Sequence, residues 1–457
     1  MRLSNETIAQ LPQAVAGPGY DRIQPVGIVH FGIGAFHRAH QAVYTDACLA
    51  TGGKGWMIAG VSMRSASVAE QLNPQDGLYT LTIRSAGETV TRVVGSVAQV
   101  LVAGADRARI VALLAAPECH LVTFTVTEKG YCRSPDGSLD FGRAREGFYP
   151  ILCDALLRRR DAGLPGLSLL SCDNLSANGK QLKRLMLEWI DAEAPGLRAW
   201  FLENCTTPDS MVDRIVPASA AADLERLETQ IGLRDEGAVF TEGFSQWVIE
   251  DDFAGARPAW HEHGVQIVPD VTPYEAAKLR MLNGAHSLLA YAGLDRGYTF
   301  VHEAVADEQL GALVRKLMLE EAAPTIAAGE GQDLQAYAAD LNARFANPAL
   351  NHRLAQIAMD GSQKIGPRWL DTLAIQQQGA RSCEAILTGL AHWLHHVSGA
   401  VRPVEDPQAE FLRAVWEDAG RDRVVAAMFG DGGPLQSDWT PGETDIAFIT
   451  AILQGLR

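Results

Sequence analysis

Two periodicities divide the chain. In its first part, short apolar runs alternate with amphipathic stretches. Residues 26–31 (VGIVHF) form one such run, 37–51 carry a helical pattern, and 56–61 are apolar again. Segments 78–83 and 89–94 alternate apolar and polar positions with period two, as strands of a half-exposed hairpin do. An amphipathic stretch at 105–115 and a β-branched run at 120–126 (HLVTFTV) follow. Then come a helical pattern at 143–161, an apolar strand at 167–171 and a helix at 178–194. Strand–helix–strand spacing repeated in this way predicts an α/β domain with a largely parallel, doubly wound sheet.

From residue 272 the period is helical almost throughout, with helices predicted at 272–292, 307–322, 333–346, 381–396 and 409–417. Pro269 and Pro273 punctuate the join. The sequence therefore divides into a sheet domain, 1–270, and a mostly α-helical C-terminal domain, 271–457; a chain of 457 residues is long for one core.

Composition narrows the partners. A hydrophobic fraction of 47% with 21% charged residues is the balance of a globular enzyme. The net charge of −16, without clustered Lys and Arg, argues against nucleic acid. It does not forbid an anionic cofactor, which local backbone dipoles hold. The seven cysteines contain no C-x-x-C pair and read as buried thiols of a reducing compartment rather than a disulfide frame or zinc site. No basic segment followed by an apolar core opens the chain, and no apolar run is long enough to span a bilayer. The expectation is a cytoplasmic protein, a monomer or small homo-oligomer, with no nucleic-acid, membrane or metal partner.

The first apolar strand ends in HFGIGAFHRAH, residues 30–40. Gly32 and Gly34 stand where a strand turns into a helix, a place where glycine lets backbone approach a pyrophosphate. Phe36 and His37 follow in the same segment as further cofactor-loop candidates. The third small position of the dinucleotide fingerprint is not glycine, and an ordinary strand–helix turn can share the pattern. After the next strand stands Arg64 instead of the acidic residue that would hold ribose hydroxyls. It can face a 2′-phosphate, stack on adenine or lie in solvent, so NAD and NADP both stay open.

The segment TPYEAAKLRMLNGAHSLLA, 272–290, carries the densest chemistry. Thr272, Pro273 and Glu275 suit an N-cap, a first helical residue and a capping-box partner. On a wheel of about 100° per residue with Lys278 at zero, Glu275 lies near 60°, His286 near 80° and Asn283 near 140°. Ala277, Met281, Gly284, Ala285 and Leu288 occupy the other side and can pack. A surface lysine, a core histidine and a capping glutamate would each be unremarkable alone; four polar chemistries on one arc suit a site.

These residues carry a likeness. GIGAFHRAH (32–40), PQDGLYTL (74–81), TEKGY (127–131), SCDNL (171–175), MVDRIVP (211–217), KLRMLNGAHS (278–287) and DGSQK (360–364) resemble the polyol-specific long-chain dehydrogenases. That group contains mannitol 2-dehydrogenase, fructuronate reductase and D-arabinitol dehydrogenase. The resemblance implies a Rossmann-like nucleotide-binding domain followed by a helical substrate domain, and hydride transfer between NAD(P) and a polyol/ketose pair without metal. It makes Lys278 the general base, flanks the reacting oxygen with Asn283 and Asn174, and sets His286 and Asp213 on the polyol. It also gives Glu275 a gating role for the released proton and extends Lys364 to distal hydroxyls. The chemistry is coherent: a lysine accepts a proton near neutral pH where its surroundings lower its pKa from about 10.4 toward roughly 7–8. Two amide groups at the oxygen act as an oxyanion hole. Asn174 also suits an N-cap for the helix after it, a job that Asp173 can share.

Gln356 and Met359 stand where mannitol enzymes carry Arg and His, and QIAMDGSQK is closer to the fructuronate-reductase wording. Reduction of a keto-uronate to an aldonate is therefore the nearest alternative, with Lys364, Arg368 and Arg214 as carboxylate partners. A nucleotide-binding protein without catalysis fits less well, since it has no use for the Lys278, Asn283 and Asn174 set. A zinc alcohol dehydrogenase lacks its spaced ligands here.

Overall fold

The computed structural model describes residues 1–85 and 87–456. The chain forms two compact units, Met1–Val271 and Thr272–Arg457. Among the described residues, eleven strands lie in the first: β1 (Val26–Phe31), β2 (Met57–Ser62), β3 (Tyr79–Arg84), β4 (Thr89–Val94), β5 (Val97–Val102), β6 (Leu121–Phe124), β7 (Ser168–Ser171), β8 (Ser210–Asp213), β9 (Val239–Glu242), β10 (Gln246–Glu250) and β11 (Gln266–Val268).

Strands β5-β2-β1-β6-β7 pair in that order, every neighbour parallel. The chain walks outward from β1 through β2 to β5, returns, and continues on the other side through β6 to β7. The order reverses between β1 and β6, and in open parallel sheets that reversal opens a crevice at the carboxyl ends of the strands. The buried faces follow the period of two. Val29 and Phe31 pack with Phe124, Leu152 and Leu185 on one side, while Ile28 packs with Ala42, Tyr44 and Cys48 on the other. All three β1 side chains are fully buried, each stabilising by about 1.5–3 kcal/mol.

The expected hairpin is β3 against β4, antiparallel from Tyr79↔Val94 to Arg84↔Thr89, and β9 extends it on the parallel side. A third sheet, β11-β10-β8, had no counterpart in the sequence reading. Its strands are only three to five residues long, too short to show a period.

Two expected helices are broken. The stretch 143–161 becomes Phe141–Ala144 and Tyr149–Asp161, with no helix at 145–148. Residues 37–51 are not one helix, because the chain breaks at His40 (φ −122°, ψ −93°) between Ala35–Ala39 and Gln41–Ala50. Side chains from elsewhere in the unit hold the break open. Arg214 donates to the carbonyl of Ala39, and the His40 ring meets the carbonyl of Gln246 at 2.9 Å.

The second unit is helical. Ala409–Phe429 runs far beyond the expected end at 417 and bends at Gly420, whose φ of +65° suits glycine alone. Leu354–Ala358, Gly361–Ile365, Asp371–Gln378 and Glu443–Gly455 are further helices the sequence reading did not anticipate. Among the described residues no helix is long and apolar enough to cross a membrane.

Candidate functional site

In the first unit, the glycine loop leaves β1 at the point where strand order reverses. Gly32 has φ +94°, and a Cβ there would stand 2.1 Å from the backbone oxygen of Thr125, just beyond β6. Only glycine serves at this position. Gly34 differs: a Cβ there would meet nothing nearer than the Gly32 oxygen at 3.8 Å, and the residue is exposed. One glycine is thus required by the protein, and the other leaves an open cradle at a strand's carboxyl end. These two features fit a dinucleotide.

Phe36 is half-buried and stacks on the His40 ring at 5.0 Å. Arg64 is exposed on the loop after β2. His37 stands elsewhere than expected of a residue touching cofactor. It is fully buried, its ring stacked on His30 at 3.6 Å, and burial holds it well below the usual histidine range. Both its ring nitrogens are without a hydrogen-bond partner among the described residues. Arg214 is also corrected as a carboxylate partner: buried, it donates to the carbonyls of Ala39 and Glu242. An arginine so engaged braces the loop from behind.

The next two strands supply neighbouring loops. Asp173, after β7, accepts the Val126 N–H at 3.0 Å, the Thr127 N–H at 2.9 Å and the Tyr131 hydroxyl at 2.9 Å. Burial pushes this carboxyl up, and its donors partly offset the shift. Thr127 has φ +63°, so Asp173 holds a strained turn in place. TEKGY and SCDNL are therefore one structure, with Asn174 exposed on its outer side. The following helix starts at Asn178 after Ala177, whose φ is +48°, and Asp209 receives its Gly179 and Lys180 N–H groups. Asp213 is buried at the end of β8, opposite Gln246.

In the second unit, the α-wheel is corrected. Thr272–Ala277 is α-helical, but Lys278–Asn283 is a π-helix, and the α-helix resumes over Gly284–Asp295. A π-turn closes its hydrogen bonds from residue i to i+5. Lys278 and Asn283 are five apart, so the widened turn brings them toward one face where a regular wheel splays them by about 140°. Both are half-buried, as is Glu275. π-turns concentrate at functional sites.

His286, on the following α-turn, is buried against Phe345 at 4.7 Å and His352 at 5.2 Å between ring centroids. Its Nε2 has no hydrogen-bond partner among the described residues. Burial first, then His352, Arg344 and Arg368, keeps the ring well below the usual histidine range and hence neutral. Arg368 donates to the Ser287 hydroxyl at 2.8 Å, and burial pushes its guanidinium down to about 10. Lys364 donates to the Met359 carbonyl, and burial, with Arg368 next, lowers its pKa.

Two guanidinium groups, Arg344 and Arg368, thus act on His286 together with the His352 ring, and Lys364 stands beside Arg368. The sequence singles out Lys364 and, as a carboxylate partner, Arg368. Arg344 and His352 went unnoticed because nothing in their local sequence marks them; helix packing brings them in from 58 and 66 residues away (344 − 286 and 352 − 286). Among the described residues, no group of three His, Cys, Asp or Glu side chains is placed to hold a metal ion.

Residues 26–262 match the family model of the mannitol dehydrogenase Rossmann domain, and residues 270–430 that of the mannitol dehydrogenase C-terminal domain. The D-mannonate oxidoreductase of Escherichia coli (strain K12) is 38% identical over 473 residues, covering 98% of this chain and 97% of that protein. A substrate-free D-sorbitol dehydrogenase superposes with a TM-score of 0.92 at 30% identity, over 99% of this chain and 98% of that one. The Pseudomonas fluorescens mannitol 2-dehydrogenase, solved with NAD and D-mannitol, superposes with a TM-score of 0.83 at 33% identity, over 100% and 97%.

Proposed function

We propose, from the premise that this chain belongs to the mannitol dehydrogenase family of oxidoreductases, that it interconverts a small polyol and its ketose with NAD and without a metal ion. The observation that carries the reading is the π-turn that brings Lys278 and Asn283 toward one face, one turn ahead of the unpartnered nitrogen of His286. When bound, nicotinamide supplies the hydride acceptor. Lys278 takes the hydroxyl proton as the C–H pair leaves, becoming ammonium while the C–O bond becomes a carbonyl. The amide N–H groups of Asn283 and Asn174 stabilise the charge developing on that oxygen. Neutral His286 and Asp213 hold neighbouring hydroxyls, Lys364 reaches the distal ones, and Glu275, three residues before Lys278, hands the released proton onward. Gly32, Gly34, Phe36 and Arg64 form the cofactor loop, with His37 buried in the same segment.

A second reading is favoured by one observation: the cations about His286. Burial lowers the pKa of both Lys364 and Arg368, and the Arg368 guanidinium lowers that of Lys364 further. A substrate carboxylate would neutralise such a cluster, and a bidentate guanidinium–carboxylate pair is among the stronger recognition contacts. This is the pattern a keto-uronate or aldonate would need, and D-mannonate oxidoreductase is the name of a full-length relative.

One assay separates the readings: polyols, ketoses, keto-uronates and aldonates against NAD and NADP, followed by the absorbance of reduced nicotinamide. Turnover of polyols and ketoses supports the first reading, and turnover confined to carboxylated sugars replaces it with the second. No turnover with either class overturns both. Activity is expected to survive exhaustive chelation; loss in EDTA, restored by zinc, would sink the metal-free mechanism.

A further inference from the structure

Behind the glycine loop runs a chain of hydrogen bonds that the reaction itself does not use. The hydroxyl of Thr125 donates to the carbonyl of Gly32 at 2.7 Å. The same hydroxyl oxygen stands 2.8 Å from Nε2 of His30. On the far side of the ring, Nδ1 of His30 is 2.7 Å from the Thr123 hydroxyl, which lies 2.9 Å from Oε1 of the Gln41 amide as that amide is placed. His30, Thr123 and Gln41 are buried, and His37 stacks over the His30 ring.

Proton counting gives this chain one direction. A carbonyl only accepts, so Thr125 spends its single hydroxyl proton on Gly32 and must accept from His30. His30 therefore carries its proton on Nε2. Burial pushes its pKa down to about 3, so Nδ1 bears a lone pair and needs a donor, which is the Thr123 hydroxyl. Thr123 in turn must accept, and only the NH2 of Gln41 can give. The two ends of an amide have the same shape. With the NH2 turned toward Thr123, the one nitrogen of Gln41 otherwise left without a partner is satisfied.

We propose that Gln41, Thr123, His30 and Thr125 act as positioning residues that fix the Gly32 carbonyl and so hold the glycine loop open for the dinucleotide. Gly32 needs such a hold. Its φ is +94°, its carbonyl also accepts the Gly34 N–H at 2.6 Å, and its own N–H goes to Val61 at 2.8 Å. The peptide that follows Gly32 has no other side-chain restraint among these contacts. Without the Thr125 hydroxyl, the peptide is freer to rotate, and the cradle at Gly34 is populated only part of the time. The inference rests on the reading of this loop as the cofactor site.

The test uses the full chain. Thr125→Val keeps shape but removes the hydroxyl, leaving His30 Nε2–H and one lone pair of Gly32 unpaired; Thr125→Ser restores it. Dissociation of NADH is measured by fluorescence without substrate, alongside thermal unfolding of the cofactor-free protein. Losing the two part-buried hydrogen bonds of this hydroxyl is expected to raise the dissociation constant about five- to tenfold in Thr125→Val. In Thr125→Ser the constant should stay within about twofold of wild type. Equal affinities in Thr125→Val and wild type, or equal losses in both variants, would overturn the proposal. Failure of wild type to bind NADH would instead remove the cofactor reading.

A second measurement needs no Thr125 variant. Long-range nitrogen correlation spectra, with His30 assigned from His30→Gln, should show a neutral Nε2–H ring across the pH range in which the protein stays folded. An Nδ1–H ring or an imidazolium would break the chain as drawn.

Discussion

Lys278→Ala is expected to lose on the order of 10²–10⁴-fold in polyol oxidation, the usual cost of losing a general base. Three readouts make the result specific. NADH affinity should barely change, because the cofactor loop belongs to the other unit. The wild-type oxidation rate should rise with pH through one ionisation, since a base must be unprotonated to act, and that step should vanish in the variant. A small added amine should restore part of the rate by accepting the proton in the vacated space. If turnover and pH profile both survive the substitution, Lys278 is a bystander and the base must be sought elsewhere on the same helix, with His286 first.

The second large effect is expected at the two glycines, and the two should fail differently. At Gly34 a side chain finds room in the protein, so Gly34→Val should fold with an unchanged melting temperature. It should nevertheless intrude on the dinucleotide, and overpacking of this kind costs about 1–3 kcal/mol, roughly 5–150-fold in affinity. At Gly32 the added Cβ would strike the Thr125 backbone at 2.1 Å in a conformation that alanine resists. Gly32→Ala should therefore lower the melting temperature as well as affinity. A Gly34→Val protein with wild-type NADH affinity would take the loop out of the site. An unchanged melting temperature in Gly32→Ala would show that the β1–β6 crossing yields more easily than its geometry says. Arg64→Asp is the companion measurement: a selective loss with NADP would mark Arg64 as reading the 2′-phosphate, and equal effects on both cofactors would not.

What the sequence made legible was the parallel core. Four of the five strands of that sheet lie on predicted apolar runs, because burial on both faces writes itself into consecutive residues; β5, Val97–Val102, was missed. The short strands β8 to β11 were invisible for the opposite reason: three to five residues offer no period. Arg214 shows a different limit. It reads as a cation available to substrate, yet it folds back on the carbonyl of Ala39; which way a long side chain turns is decided by partners 175 positions away. The break at His40 is missed for the same reason. Within 272–290 the polar residues were readable while their alignment was not, since a wheel assumes the very α-geometry that Lys278–Asn283 abandons. The cation cluster around His286 and the hydrogen-bond chain to Gly32 are assembled from distant segments, and neither has a local signature.

The second unit holds two more π-turns, Leu317–Ala322 and Gly366–Leu370, and both pack against the one that carries Lys278. The indole of Trp369, from the last of them, donates to the Gly284 carbonyl at 3.1 Å, where the widened helix narrows again. A π-turn is an α-helix with one residue too many, and deletion of a single residue between 278 and 283 would let the helix relax to its ordinary ladder. In such a shortened protein the lysine and the asparagine would stand four apart, still on one face of an ordinary α-helix. What would change is the fit of the widened turn to the two π-turns and the Trp369 indole packed against it. The surplus residue is therefore a length constraint set by packing, and side chains on the solvent side of this helix can be changed more safely than its count.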